Sequence, residues 1–209
     1  MKIELKNIHY DAHLSEETHA FVANLYINGV KAGVASNRGH GGNTDYHATD
    51  EKGRKMIEEA ENYCRNLPPE TYMAGEHEHS IAMSLEFYID SLMDDYLQQK
   101  ELQKFRKKLK KEAETGIVYG IPDHSFRVAS FKNPIETILH HPKGWESLKN
   151  AIIKHVVPKM WEGDKILNTN IPGKLLEEAG LKKEQYSLPV KESLSQKKRS
   201  PSKKKGKKL

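Results

Sequence analysis

Apolar and polar side chains alternate through three early segments of the chain. Ile3, Leu5 and Ile8 stand among Lys2, Glu4 and Lys6, and the phase breaks at Lys6-Asn7, where a bulge or a strand end is expected. In residues 18–27, Phe21, Ala23, Leu25 and Ile27 fall on one face and Val22, Asn24 and Tyr26 on the other. Asn28-Gly29 separates this run from Val30-Lys31-Ala32-Gly33-Val34-Ala35. Asn-Gly between two strand-like runs predicts a tight hairpin, because a type I′ turn needs positive φ at both central positions. Three antiparallel strands follow from this pattern.

The period then lengthens. A helix is expected from Ala48 or Thr49, capped by Thr49 or Asp50, with Met56, Ala60, Tyr63 or Cys64, and Leu67 facing inward. Pro68-Pro69 ends it, and residues 70–79 read as a polar connection. Ile81, Leu85, Tyr88, Leu92 and Tyr96 recur at helical spacing, and Leu102, Phe105 and Leu109 continue the stripe, so residues 80–113 predict one long amphipathic helix. A second hairpin is expected over residues 116–131, around Pro122-Asp123-His124. Short helices at residues 134–141, 145–157 and 172–179 and a short strand at 165–167 complete the reading. The fold class is therefore α+β: a small antiparallel sheet, a second hairpin and several helices, with residues 1–190 as a single domain. Residues 191–209 are dominated by Lys and Ser, with Pro and Gly and almost nothing apolar, and are expected to be a disordered tail.

Charge is distributed unevenly. The formal net charge is +5, yet residues 191–209 hold nine Lys or Arg and one acid. Residues 1–99 carry eight basic and seventeen acidic groups, and residues 100–111 seven basic and one acidic. The basic character belongs to the tail and to one helical segment, which argues against a broadly basic nucleic-acid surface on the body. Cations late in a helix are also favoured by its dipole, so the fold alone accounts for part of that segment. No run of eighteen apolar residues exists, so no membrane partner is expected. The amino-terminal residues lack the apolar stretch of an export signal, and a lone cysteine, Cys64, suits a reducing compartment, so a cytoplasmic location is expected.

The most distinctive stretch is Ser36-Asn37-Arg38-Gly39-His40-Gly41-Gly42-Asn43-Thr44-Asp45-Tyr46-His47. Its glycines permit sharp turns and close approach to a ligand, and backbone N–H groups beside Arg38 and His40 could hold a phosphate. His40, Asp45 and His47 are residue types that ligate zinc or iron. Arg38, Gly39, His40, Gly41, Gly42, Asp45 and His47 thus form a candidate site for a phosphate-containing ligand or a metal, set against a purely structural turn with solvated histidines. The loop matches neither phosphate-loop nor dinucleotide fingerprint, so no nucleotide or other cofactor is assigned. His77-Glu78-His79 offers too few ligands at a recognised spacing for zinc. Cys64 sits on an inner helical stripe, and Trp145 and Trp161 are expected to pack as core or anchor residues. No nucleophile elbow or zinc-protease motif appears, which leans away from an enzyme.

Two segments suit phosphate contact. Lys104, Lys107, Lys108 and Lys111 lie on the long helix, and Lys197, Lys198, Arg199, Lys203, Lys204 and Lys205 on the tail. Flexible polycations bind nucleic acid by counterion release without sequence preference. The alternative is a solubilising tail with no specific partner.

Lys2-Ile3-Glu4-Leu5-Lys6-Asn7-Ile8, Ser15-Glu16-Glu17-Thr18, Asn24-Leu25-Tyr26-Ile27-Asn28-Gly29, Ser36-Asn37 with Gly39-His40-Gly41-Gly42, and Leu67-Pro68-Pro69-Glu70 resemble a group of small uncharacterised proteins encoded by bacteriophages, prophages and plasmids. The similarity covers about the first 70 residues well and the remainder loosely. Members commonly carry a cysteine just after GHGG, where this chain has Asn43 and Thr44, which argues against cysteine-dependent chemistry here. The resemblance implies a mobile-element setting in a bacterial host, in replication, transfer or host-defence interference, and supplies no catalytic residues. The leading expectation is an accessory protein that binds a partner near nucleic acid, with non-specific phosphate contacts from its basic segments and a specific contact from the glycine loop; a protein partner is one possibility. The alternative is a small enzyme or ligand-binding protein that uses loop 38–47.

Overall fold

A computed structural model describes residues 1–75 and 77–186, apart from the side chains of Tyr72, Met73, Ala74, His77 and Glu78. The fold is α+β, and its contacts divide it into two compact units, Met1–Glu101 and a second beginning at Leu102. The sequence reading takes residues 1–190 as one domain; the division falls inside the long helix.

In the first unit, β1 (Ile3–Asp11), β2 (Ala20–Ile27), β3 (Val30–Asn37) and β4 (Asp45–Ala48) form an antiparallel meander in that order. The disturbed phase at Lys6-Asn7 is a bulge: register shifts between Lys6 and His9, and Asn7 adopts φ +50°. Asn28 and Gly29 take φ +51° and +84°, as the type I′ turn requires. Phe21, Ala23, Leu25 and Ile27 are buried together, as their alternation requires. The fourth strand was not expected. Its Tyr46 joins the core side while Asp45 and His47 point to the other face.

Helix α1 (Glu51–Arg65) starts at Asp50, whose carboxylate accepts the Gly53 N–H at 2.7 Å. Gly53, Ile57, Ala60 and Cys64 form its buried face, and the expected Met56 and Tyr63 pack, partly buried, beside them. Gly53 is needed because a Cβ there would lie 2.1 Å from the Ala32 carbonyl. Residues expected as a polar connection instead pair as a hairpin, β5 (Glu70–Ala74) with β6 (His77–Ile81). Alternation there is hidden by polar side chains, since a two-stranded ribbon has little to bury. Ile81 consequently belongs to β6, and helix α2 (Leu85–Thr115) begins four residues later. Leu85, Ile89 and Met93 are its most buried residues in this unit.

In the second unit, β7 (Gly116–Ile121) and β8 (Ser125–Ser130) form the expected hairpin, and β9 (Lys165–Ile166) pairs with β7, giving the order β8-β7-β9. One face of this sheet meets α2 through Val118, Phe126, Val128, Leu109, Ala113 and Leu167. The other carries Ile117 and Tyr119 against α3 (Ile135–His140), α4 (Gly144–Ala151) and α5 (Gly173–Glu178). Helix α4 continues as a π-helical turn at Ile152–Val156 and a 3₁₀ turn at Val157–Lys159, where Pro158 ends it.

Asn168 ties this unit together. It is 1% exposed; its Oδ1 accepts the Val118 N–H at 2.6 Å, and its Nδ2 donates to Gly116 O, Ala113 O and Asn170 Oδ1. Carbonyls at the end of α2, which lack helical partners, are thereby satisfied. Asn168→Ala should strand the Val118 N–H and lower stability by about 1–3 kcal/mol. Denaturation followed by tryptophan fluorescence reports on this unit, because Trp145 and Trp161 both lie in it.

Candidate functional site

The glycine loop is pinned from within the first unit. Asn37 Oδ1 accepts the Gly39 N–H at 2.8 Å and the Thr18 hydroxyl at 2.8 Å, while its Nδ2 donates to Gly42 O and Thr44 Oγ1. Thr18 Oγ1 in turn accepts the Gly41 N–H at 3.4 Å. Gly39 O accepts the N–H groups of Glu16 and Glu17 at 2.9 and 3.0 Å. The amides of Gly39 and Gly41 are therefore spent inside the protein, and two glutamates stand where a phosphate would approach. Gly39 has φ +90°, and a Cβ there would meet Leu14 O at 2.0 Å, so its glycine serves close packing.

The candidate residues do not all line one cavity. Arg38 and His40 are exposed and line a shallow cavity of about 340 Å³ with His9, Asp11 and Leu14. His40 Nδ1 lies 3.2 Å from Glu16 Oε2. Asp45 and His47 sit on β4, exposed, and do not line that cavity. Among the described residues no group of three or more His, Cys, Asp or Glu side chains is arranged to hold a metal. Cys64 is fully buried, and burial pushes its thiol pKa up, which leaves it inert as a nucleophile at neutral pH.

Beside the loop lies an acidic cavity of about 360 Å³, lined by Glu16, Glu17, Thr18, His19, Asp90 and Asp94 among others. Thr44, buried, donates its hydroxyl to Asp90 at 2.6 Å and its N–H to Glu86 at 3.2 Å. His19 Nε2 lies 2.9 Å from Asp94 Oδ1, and its ring meets Tyr10 edge-on. Burial raises the Asp90 pKa, the Thr44 hydrogen bond opposes the rise, and Glu86 and Asp94 add to it. Nearby, burial and the hydrogen bond to Glu61 push Tyr46 up to about 12. One signal for this cluster was present in the sequence: Glu86, Asp90 and Asp94 recur every four residues on one helix face.

The second unit carries the cationic candidate. Lys104, Lys107, Lys108 and Lys111 are exposed at spacings that place them on one side of α2, opposite Leu102, Phe105, Leu109 and Ala113. Among the described residues, Lys107 and Lys111 make no ion pair; Lys108 Nζ rests 5.7 Å from the Phe126 ring centroid. Arg106 lies to one side and forms a two-pronged ion pair with Asp123, which holds the Asp123 carboxyl below its usual range. The last turn of α2 contains Glu112 and Glu114 and no cation. Dipole stabilisation, which acts within the final turn, therefore does not account for the lysines. Lys197, Lys198, Arg199, Lys203, Lys204 and Lys205 lie outside the described residues, as does the whole segment 191–209.

Trp161, expected as a core or anchor residue, is 74% exposed and so lies outside the core. Its ring lies 4.1 Å from the Arg127 guanidinium, which also stacks on Tyr119. Nothing in the local sequence distinguishes this tryptophan from a buried one. No family model matches the chain, and no curated protein or solved structure is significantly similar to it.

Two outcomes follow for the first unit. Gly39→Ala should destabilise it by about 1–3 kcal/mol through strain and clash, whereas Gly42→Ala, with open space around its Cβ position, should be neutral; hydrogen exchange of the β2 and β3 amides separates them. Asp90 has a raised folded-state pKa, so its contribution is present at acidic pH and is lost as pH rises through that value. Asp90→Asn, which keeps an acceptor for Thr44, should therefore make the unit more stable at neutral pH and flatten its acid-to-neutral profile in urea denaturation.

Proposed function

We propose that the protein is a nucleic-acid-binding accessory factor that grips phosphates through the lysine row of α2 and the basic segment 191–209. The carrying observation is the row itself. Four lysines occupy the solvent side of one helix, and residues 102–111 contain six cations and no acid. From Lys104 to Lys111 the rise is about 10 Å, a span that covers roughly three phosphates of one strand. Helix packing gives no reason for this row, because it faces away from the buried side of α2. The tail adds nine cations that need no fixed geometry to release counterions. Placement of this activity in replication, transfer or host-defence interference by a mobile element in the bacterial cytoplasm is supported by the likeness of the first 70 residues to phage and plasmid proteins. No helix among the described residues is long and apolar enough to cross a membrane.

The test is a salt series with duplex and single-stranded DNA. Replacing Lys104, Lys107, Lys108 and Lys111 by alanine in the full chain should flatten the slope of log K against log salt by roughly 3–4, and removing residues 191–209 by about 5–8. Because the four lysines are exposed and the Lys108–Phe126 contact lies at the surface, thermal stability should fall only slightly. Unaltered slopes in both variants would sink the proposal.

A further inference from the structure

Trp161 is the most exposed large hydrophobic residue among those described, yet it is held in place from several sides. Its N–H donates to Asp164 Oδ2 at 2.8 Å, and its carbonyl accepts the Asp164 N–H at 3.1 Å. Gly163, at φ +86°, closes the turn between them. The Asp164 carboxylate is almost fully buried and also receives the Arg127 guanidinium in an ion pair. That guanidinium is clamped between two aromatic rings, 4.9 Å from the Tyr119 centroid and 4.1 Å from that of Trp161. One carboxylate thus fixes both the backbone of the tryptophan and the cation on which its ring rests.

An indole supported on one face and exposed elsewhere is a stacking surface whose ordering cost has been met in advance. Exposing so large an apolar ring forgoes roughly 2–3 kcal/mol of burial, and among the described residues nothing packs on its free face. A guanidinium behind the ring draws on its negative quadrupole, which eases stacking of an electron-rich partner in front. The neighbouring charge favours an anionic partner. Lys159 and Lys165 stand within four residues of Trp161 in the chain and make no ion pair among the described residues; of the two acids between them, Glu162 and Asp164, the second is paired with Arg127.

We infer that Trp161, backed by Arg127 and Asp164, is a stacking site for an unpaired nucleobase, so that the protein prefers single-stranded nucleic acid over duplex. This rests on the phosphate-binding reading of the lysine row. In a duplex the bases are already stacked and cannot reach the indole; in a single strand each base offers a free π-face.

The full chain is titrated with a labelled short oligodeoxyadenylate and with a duplex of equal length. Trp161→Ala should weaken single-strand binding about 5- to 150-fold, leave duplex binding and the salt slope unchanged, and be matched by Trp161→Leu, which keeps volume without a π-face. Trp161→Phe should retain most of the affinity. Single-strand binding by Trp161→Leu at the wild-type level overturns the inference and leaves the lysine-row reading standing. Equal losses on single strand and duplex would assign the residue to the fold and also overturn it. So would self-association of the wild type in sedimentation that Trp161→Ala abolishes while binding DNA normally. If the wild type binds neither nucleic acid, both readings fall together.

Discussion

A backbone group removed from water at a chain reversal must find a partner, and in each unit of this protein one asparagine carboxamide supplies it. Asn168 satisfies the start of β7 and the end of α2 at once, which is why a helix of 31 residues can run directly into a strand without a connecting loop. Asn37 performs the same task for the glycine loop, bonding Gly39, Gly42, Thr18 and Thr44 through its two ends. A carboxamide suits both places because it donates and accepts without carrying a charge into a buried site.

The Asn37 knot has a chemical consequence for the loop. An anion nest needs free amides, and here the Gly39 and Gly41 amides are satisfied from within. Glycine content, so suggestive in a sequence, here reflects close approach of chain segments: Gly39 lies against Leu14, and Gly41 against Glu17. The acidic cavity beside it behaves consistently, since Asp90 is held among other carboxylates at a cost in ionisation that the Thr44 hydroxyl only partly offsets. Negative charge concentrates in the first unit, and unpaired positive charge stands on the α2 face of the second.

In the second unit, cations are used in two physically distinct ways. Arg106 and Arg127 are bound to carboxylates and rings, so their charge is spent on order within the fold. Lys107 and Lys111 are extended into water, where their charge is available to a polyanion. The contrast follows from side-chain chemistry: a planar guanidinium is suited to bidentate pairing and stacking, a lysine ammonium to a solvated point charge.

Much of the architecture was legible along the chain because strands and helices with one buried face must carry their period in the sequence. The β2–β3 hairpin, the bulge at Asn7, the Asp50 cap and the long helix all follow from alternation, turn chemistry or capping. The β5–β6 hairpin escaped because its sequence carries no apolar period; its described side chains, Glu70, Thr71, His79, Ser80 and Ile81, are all exposed. Met56 was read on the inner face of α1 and packs against the core there, but the deeper burial of its neighbour Ile57 is set by the helix's rotation against the sheet. Among the candidate site residues, the lysine row could be read directly from spacing. Which of Arg38, His40, Asp45 and His47 line one cavity could not, since that depends on how strands distant in the chain pair. Whether Trp161 is a core or an exposed residue was also not legible, because burial is a property of what other segments cover. By itself the sequence determined local conformation, the α+β class and the placement of charge. Tertiary structure alone decided which amides were already spent, which carboxylates met, and which indole was left facing water, because each of these depends on partners distant in the chain.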